Sequence, residues 1–219
     1  MAKIRIVGVG PGSPDYVTPA AKKAVATAQV IIGAERALSL FAGDISGETI
    51  KLTAKNINDA LKNAIESSQQ GKLVVLLSTG DPGFSGLLRT FSKLTIETNI
   101  EVDVIPGISS VQVCAARLLL PWDEMRLFTF HKRATAVEKK KLVESVRSGR
   151  IVMLLPDAKS FSPAEVAKFL ISKGVSANTP AFVCENLTLK DERIVSTTLS
   201  GISERSFSSL CVMVIKPAQ

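Results

Sequence analysis

Histidine and aromatic residues are scarce in this chain. Its 219 residues include one His, one Trp and one Tyr, and aromatic residues make up only 5% of the total. With His131 alone and no Cys-x-x-Cys among Cys114, Cys184 and Cys211, the usual zinc ligand sets are missing, so no metal site is expected. The three cysteines lie far apart in apolar runs, the pattern of buried thiols that pack as small hydrophobes. Few aromatics, and no RNA-recognition or zinc-finger pattern, argue against nucleic acid as a partner. No apolar run reaches membrane-spanning length: the stretch from Val111 to Leu120 is short and contains Arg117. A strand-like run starts within three positions of the N-terminus and leaves no room for a signal peptide. No membrane association and cytoplasmic residence are therefore the expectation.

The remaining composition supports a globular protein. Apolar residues make up 46% and charged residues 21%, enough for a substantial core. The length suits one large domain or two modest ones. Lys and Arg number 27 against 20 Asp and Glu, a net charge of +7 that favours an anionic partner. A small substrate carrying many carboxylates would suit that field.

In the first half, strand and helix patterns alternate. Strand-like runs cover Lys3–Val7, Val30–Gly33, Thr49–Leu52, Lys72–Ser78 and Glu101–Ile105. Helical periodicity covers Thr18–Gln29, Ala34–Phe41, the Ile57/Leu61/Ile65 stripe ending at Gly71, and Leu87–Leu94. Such alternation predicts a parallel sheet between helices. Ser109–Leu120 is helical in pattern. From Met125 a second module follows, with strands at Arg126–Phe130 and Arg150–Leu155 and helices at Ala136–Arg147 and Pro163–Lys173. Each helix carries a capping pair, Thr135 with Glu138 and Ser162 with Glu165. Three closing strands, Pro180–Glu185, Glu192–Thr198 and Ser209–Ile215, have no long helices between them and suggest antiparallel pairing in a mixed sheet. The fold class expected is α/β with two domains, residues 1–110 and 125–219, joined by a linker region at 111–124.

The loop after the first strand, Gly8-Val9-Gly10-Pro11-Gly12, lets a ligand approach the backbone closely. It is not a dinucleotide fingerprint, because Ser13 stands where the third glycine belongs and the next helix begins only at Thr18-Pro19. No helix N-terminus lies directly beneath to hold a pyrophosphate. Four further turn-like stretches follow strands or lie between them: Ser78-Thr79-Gly80-Asp81-Pro82-Gly83, Pro106-Gly107-Ile108-Ser109-Ser110, Leu154-Leu155-Pro156-Asp157 and Cys184-Glu185-Asn186-Leu187-Thr188. Ligands bind beyond the carboxyl ends of parallel strands, and special loops drawn from both halves point to a ligand gripped between domains.

In this order and spacing the loops resemble those of the tetrapyrrole methylase family of S-adenosylmethionine-dependent methyltransferases, nearly end to end. Within it the chain is most similar to the cobalamin-pathway branch that methylates C5 of a corrin precursor. The residues carrying that similarity are Gly33-Ala34-Glu35-Arg36-Ala37-Leu38, His131 with Arg133, and Glu185-Asn186-Leu187 followed by Glu192-Arg193-Ile194. The branch reads His-Gly-Arg where this chain has His131-Lys132-Arg133.

The resemblance implies S-adenosylmethionine as cofactor, with contacts at Val9, Asp81, Phe84, Ser109, Ser110, Leu155, Glu185 and Asn186. The two serines would also serve as helix caps. It implies an anionic tetrapyrrole as substrate, met by Gly10, Pro11, Gly12, Arg36, His131 and Arg133. A homodimer and a separate C15-methyltransferase/decarboxylase as partner belong to the same expectation. No Ser-His-Asp or Cys-His arrangement is present, none is required by an electron-rich macrocycle, and no catalytic base is identified. Two alternatives stay open: the same fold acting on another tetrapyrrole position or a non-corrin substrate, and a nucleotide-binding oxidoreductase resting on the first glycine loop and Glu35.

Overall fold

A computed structural model of the protein describes residues 3–95, 100–131 and 134–217. The chain divides into two compact units, residues 1–109 and 110–219. The first contains β1 (Lys3–Gly8), a 3-10 turn at Pro14–Tyr16, α1 (Pro19–Ala26), β2 (Val30–Gly33), α2 (Glu35–Ser39) and β3 (Glu48–Lys51). There follow α3 (Ile57–Gln69), β4 (Val74–Ser78), α4 (Leu88–Thr95) and β5 (Glu101–Ile105). Its five strands lie in the order β3-β2-β4-β1-β5, and every pairing is parallel. That places β4 and β1 inside the sheet, covered on both faces, which is why Val74–Ser78 is apolar at consecutive positions. Val75 and Leu77 join Val7, Ala21, Val25 and Phe41 on one face, while Val74 and Leu76 join Ile4, Ile6, Leu61 and Phe91 on the other.

Helix α1 starts where its cap predicts. Thr18 accepts the Ala21 N–H at 3.1 Å and Pro19 occupies the first turn of α1. In α3 the buried residues are Ala60, Leu61, Ala64, Ser67 and Ser68, with Ile57 and Ile65 only half-buried. The inward face is therefore rotated from the Ile57/Leu61/Ile65 stripe, because small side chains let this helix lie close against the sheet.

The second unit contains α5 (Ser110–Arg117), β6 (Arg126–Thr129), α6 (Ala136–Arg147), β7 (Val152–Leu155), α7 (Pro163–Ser172), β8 (Pro180–Glu185), β9 (Arg193–Thr198), α8 (Leu199–Ser203) and β10 (Cys211–Ile215). Strand order is β6-β7-β10-β8-β9, with β6 and β7 parallel and the other pairs antiparallel, the mixed sheet expected. Residues 110–117, within the stretch Ser109–Leu120 read as helical, form α5. Thr135 and Glu138 make the reciprocal capping box of α6. Phe161 meets Phe130 edge-on at 5.1 Å and Phe169 at 5.7 Å within the core. The short helix α8 was not legible from sequence. Five residues, two of them serine, are too few to display a 3.6-residue period, and the helix is fixed by the Thr198 cap and burial of Leu199 and Ile202.

All three cysteines are buried, and the Sγ atoms of Cys114 on α5 and Cys184 on β8 lie 3.4 Å apart. Contact with the Cys184 thiol, then burial, pushes the Cys114 thiol upward, and burial with the nearby Glu185 charge pushes Cys211 up to about 12. Those two thiols are protonated at neutral pH and shielded from solvent.

At the carboxyl ends of β1, β4 and β5 the backbones meet without side chains between them. A Cβ on Gly107 would sit 2.4 Å from the Gly80 carbonyl oxygen and 2.6 Å from the Gly8 carbonyl carbon. One on Gly8 would sit 2.4 Å from the Gly107 nitrogen. Only glycine permits this approach.

Gly107→Ala is accordingly expected to destabilise the protein by about 1–3 kcal/mol, since neighbouring backbone must move. A thermal unfolding curve matching the wild type would contradict this reading of the junction. For the cysteines, a thiol reagent at neutral pH should label only denatured protein, and rapid labelling of the native chain would contradict their burial.

Candidate functional site

The first unit's candidate site is built on its glycine junction. The Val9 N–H donates to the Ser78 carbonyl at 3.0 Å and the Gly80 N–H to the Gly10 carbonyl at 2.8 Å, so the first loop is drawn alongside the β4 loop. Gly10 reaches this path with φ of +82°. Asp81 fastens the third strand end. One carboxylate oxygen accepts the Gly83 N–H at 2.8 Å and the other the Gly107 N–H at 3.0 Å. Gly86 packs beneath, where a Cβ would meet Ser78 Oγ at 2.6 Å and the Asp81 and Pro82 carbonyls at 2.7 Å.

Gly80 itself is different. Its φ is +71°, and a Cβ there would meet only Ser109 Cα, at 3.8 Å. Room beside a left-handed glycine gives a ligand access to main-chain donors and acceptors. The residue types available here, backbone amides and carbonyls, the Ser109 hydroxyl and the half-buried Phe84 ring, suit a nucleoside with an amino-acid tail. No helix N-terminus follows the first loop directly: the 3-10 turn at Pro14–Tyr16 intervenes before Thr18 caps α1. The loop is thus poorly made for pyrophosphate.

Arg36, at the start of α2 just past β2, is half-buried. Among the described residues its guanidinium has no hydrogen bond or ion pair; the neighbouring Glu35 pairs instead with Lys51 at 2.5 Å. Burial pushes its pKa downward. A cation partly withdrawn from water and left unpaired is destabilised until an anion reaches it.

In the second unit, Leu155 ends β7 and Glu185 ends β8, on either side of β10. Glu185 is buried. One of its oxygens binds Arg193 at 2.6 Å and the other accepts the Ser208 N–H at 2.6 Å. Asn186 donates to Asp191 at 2.7 Å and accepts from the Ser208 hydroxyl at 2.9 Å. Two non-glycine residues of this loop are left-handed, Asn186 at φ +50° and Thr188 at +71°. Each costs about 1–2 kcal/mol, more for the β-branched threonine, and the surrounding bonds hold them there. His131 follows β6 and is exposed. The Asp157 carboxyl after β7 is held below the usual carboxylate range by the Ser160 hydroxyl and the Lys159 amide, with a smaller contribution from His131.

Of the candidate cofactor residues, Val9, Asp81, Phe84 and Ser109 therefore gather on adjoining loops of the first unit. Ser110, Leu155, Glu185 and Asn186 belong to the second. Gly10, Pro11 and Gly12 are buried, and Arg133 lies outside the described residues. Among the described residues no three His, Cys, Asp or Glu side chains are grouped to hold a metal ion, and no helix is long and apolar enough to cross a membrane. Sequence reasoning missed the roles of Ser78, Gly86 and Arg117. Only Gly86 left a sequence signal, as a further glycine in the β4 loop.

Comparison with known proteins identifies the family. The profile of the Tetrapyrrole (Corrin/Porphyrin) Methylases matches residues 3–203. A probable cobalt-precorrin-7 C(5)-methyltransferase of Methanocaldococcus jannaschii is 39% identical over 96% of each chain. A cobalt-precorrin-7 C(5)-methyltransferase of Salmonella typhimurium is 31% identical over 91% of this chain and 92% of its own. Among solved structures, the precorrin-6Y methylase of Archaeoglobus fulgidus superposes with a TM-score of 0.75 at 25% identity, covering all of both chains. A Thermus thermophilus uroporphyrin-III C-methyl transferase complexed with S-adenyl homocysteine, 19% identical, shares the fold with a TM-score of 0.77 over 98% of this chain and 92% of its own. The glycine-rich strand ends and the end-to-end match lead to one conclusion: this chain belongs to the tetrapyrrole methylases.

Proposed function

We propose that the protein is the S-adenosylmethionine-dependent methyltransferase that acts at C5 of precorrin-7 or its cobalt form in cobalamin biosynthesis. The observation that carries this reading is the match, over nearly the whole length of both chains, to the Methanocaldococcus jannaschii relative. The room beside Gly80, and a first loop poorly made for pyrophosphate, support S-adenosylmethionine over a dinucleotide. They also set aside the oxidoreductase alternative, as does the Glu35–Lys51 ion pair, which occupies the acidic residue that reading relied on.

S-adenosylmethionine supplies an electrophilic methyl group on a sulfonium centre. The chain's part is to hold and align. The loops at Val9, Asp81–Phe84 and Ser109 of the first unit would hold the nucleoside and tail; Ser110, Leu155, Glu185 and Asn186 of the second unit are the further cofactor-binding candidates that the family resemblance implies. Asp81 acts mainly by fixing the loops, because both its oxygens already serve backbone amides. Arg36, with His131 and Arg133, would meet the acetate and propionate arms of the macrocycle. Alignment of two reactants can supply about 7–11 kcal/mol of barrier lowering without an activated protein nucleophile. Cytoplasmic residence, a homodimer and a separate C15-methyltransferase/decarboxylase partner remain part of the proposal. Light scattering at twice the chain mass would support the dimer.

A second reading keeps the fold and cofactor and changes the ring position. It is favoured by a cobalt-precorrin-4 C(11)-methyltransferase of Methanocaldococcus jannaschii, 30% identical over 93% of this chain and 81% of its own.

Calorimetry with S-adenosylhomocysteine should show one site per chain, and no heat at millimolar ligand would end the cofactor assignment. Asp81→Ala is expected to weaken that binding about tenfold, through loss of two charge-assisted hydrogen bonds. Arg36→Ala should instead raise KM for the tetrapyrrole about tenfold and leave S-adenosylhomocysteine affinity within about twofold. Equal loss of cofactor affinity in both variants would contradict this division of labour.

A further inference from the structure

The left-handed loop after β8 is fastened at both ends, and the two fastenings differ in kind. At Asn186 it is tied by its N–H to the Leu210 carbonyl at 2.8 Å and by its side chain to Ser208 and Asp191. At Thr188, the backbone N–H donates to Glu192 Oε2 at 2.7 Å. The same carboxylate receives Arg117 of α5, whose Nε reaches Oε1 at 2.7 Å and whose Nη2 reaches Oε2 at 3.5 Å. One side chain therefore joins the last turn of α5 to the backbone of the most strained residue in the loop.

We propose that Glu192 is a positioning residue for cofactor binding: its carboxylate, oriented by Arg117, holds Thr188 left-handed and so shapes the Glu185–Thr188 loop. This inference rests on the cofactor reading given above. It assigns the loop's affinity to a residue four positions beyond it, and it assigns Arg117 a supporting role. The geometry requires an acceptor at position 192. A cation there could pair with a carboxylate on α5 yet could not receive the Thr188 N–H. The Glu192 carboxyl is kept below the usual carboxylate range, chiefly by the Arg117 hydrogen bond and further by the Thr188 amide, so it is present as the charged acceptor at neutral pH.

The test compares four proteins with the unmodified enzyme by calorimetry with S-adenosylhomocysteine, thermal melting and steady-state kinetics. Glu192→Met, which removes the acceptor, should weaken binding about tenfold, a change of about 1.4 kcal/mol, and the kinetic loss should fall on KM for S-adenosylmethionine rather than on kcat. Glu192→Asp, which keeps the carboxylate, should recover part of the affinity, and it serves as the readout if the Met variant does not fold. Arg117→Met should lose less than Glu192→Met. The charge-swapped double variant, Arg117→Glu with Glu192→Arg, should restore melting temperature without restoring affinity. Unchanged affinity in Glu192→Met, or full rescue by the swap, would overturn the proposal by showing that the pair serves stability alone. Failure of the unmodified enzyme to bind S-adenosylhomocysteine would instead overturn the cofactor reading, and the proposal with it.

Discussion

The candidate site of the first unit depends on a single constraint: three strand ends must approach one another through bare backbone. Gly8, Gly80 and Gly107 lie at the carboxyl ends of β1, β4 and β5, and neither Gly8 nor Gly107 has space for a Cβ. This closeness lets Asp81 reach the Gly107 amide while also closing its own turn at Gly83. Gly80 then remains as the position where backbone and open space coincide. Parallel strands buried on both faces supply a rigid base for this arrangement, because Val74–Leu77 and Ile4–Val7 are locked by packing on either side. Such rigidity suits a reaction in which alignment is the protein's main contribution.

The second unit solves a related problem by other means. Its loop after β8 has no glycine, yet two residues adopt left-handed conformations. Strain of that kind persists only where neighbouring bonds over-determine it. Glu185, Asn186, Asp191, Glu192 and Ser208 provide those bonds, and the buried Glu185 carboxylate is compensated by Arg193 and the Ser208 amide. Truncating the exposed Arg193 would leave the buried Glu185 carboxylate short of compensation, which makes that position sensitive to change.

Much of the fold was legible because its signals are local. Strands β2, β5 and β8 and helix α6 have the bounds expected from sequence, each set by a clear change in periodicity or by a cap such as Thr135. The antiparallel close of the second sheet followed from the lack of helices long enough for crossovers. What escaped was non-local. Nothing at Ser78 announces that its hydroxyl supports the Leu87 amide, and nothing at Arg117 announces Glu192, 75 positions away. The site divides in the same way: Asp81 and Arg36 could be named from their motifs, but that Asp81 is bound to Gly83 and Gly107 while the Arg36 guanidinium has no partner among the described residues depends on which elements become neighbours.

The central claim is that these loops present a methyl donor to one carbon of a carboxylate-bearing macrocycle. The most direct measurement incubates the protein with cobalt-precorrin-7 and S-adenosylmethionine carrying a carbon-13 methyl group, then locates the label in the product by nuclear magnetic resonance. The account predicts a single enriched methyl at C5. Enrichment at another ring carbon, or an unlabelled macrocycle, would contradict it.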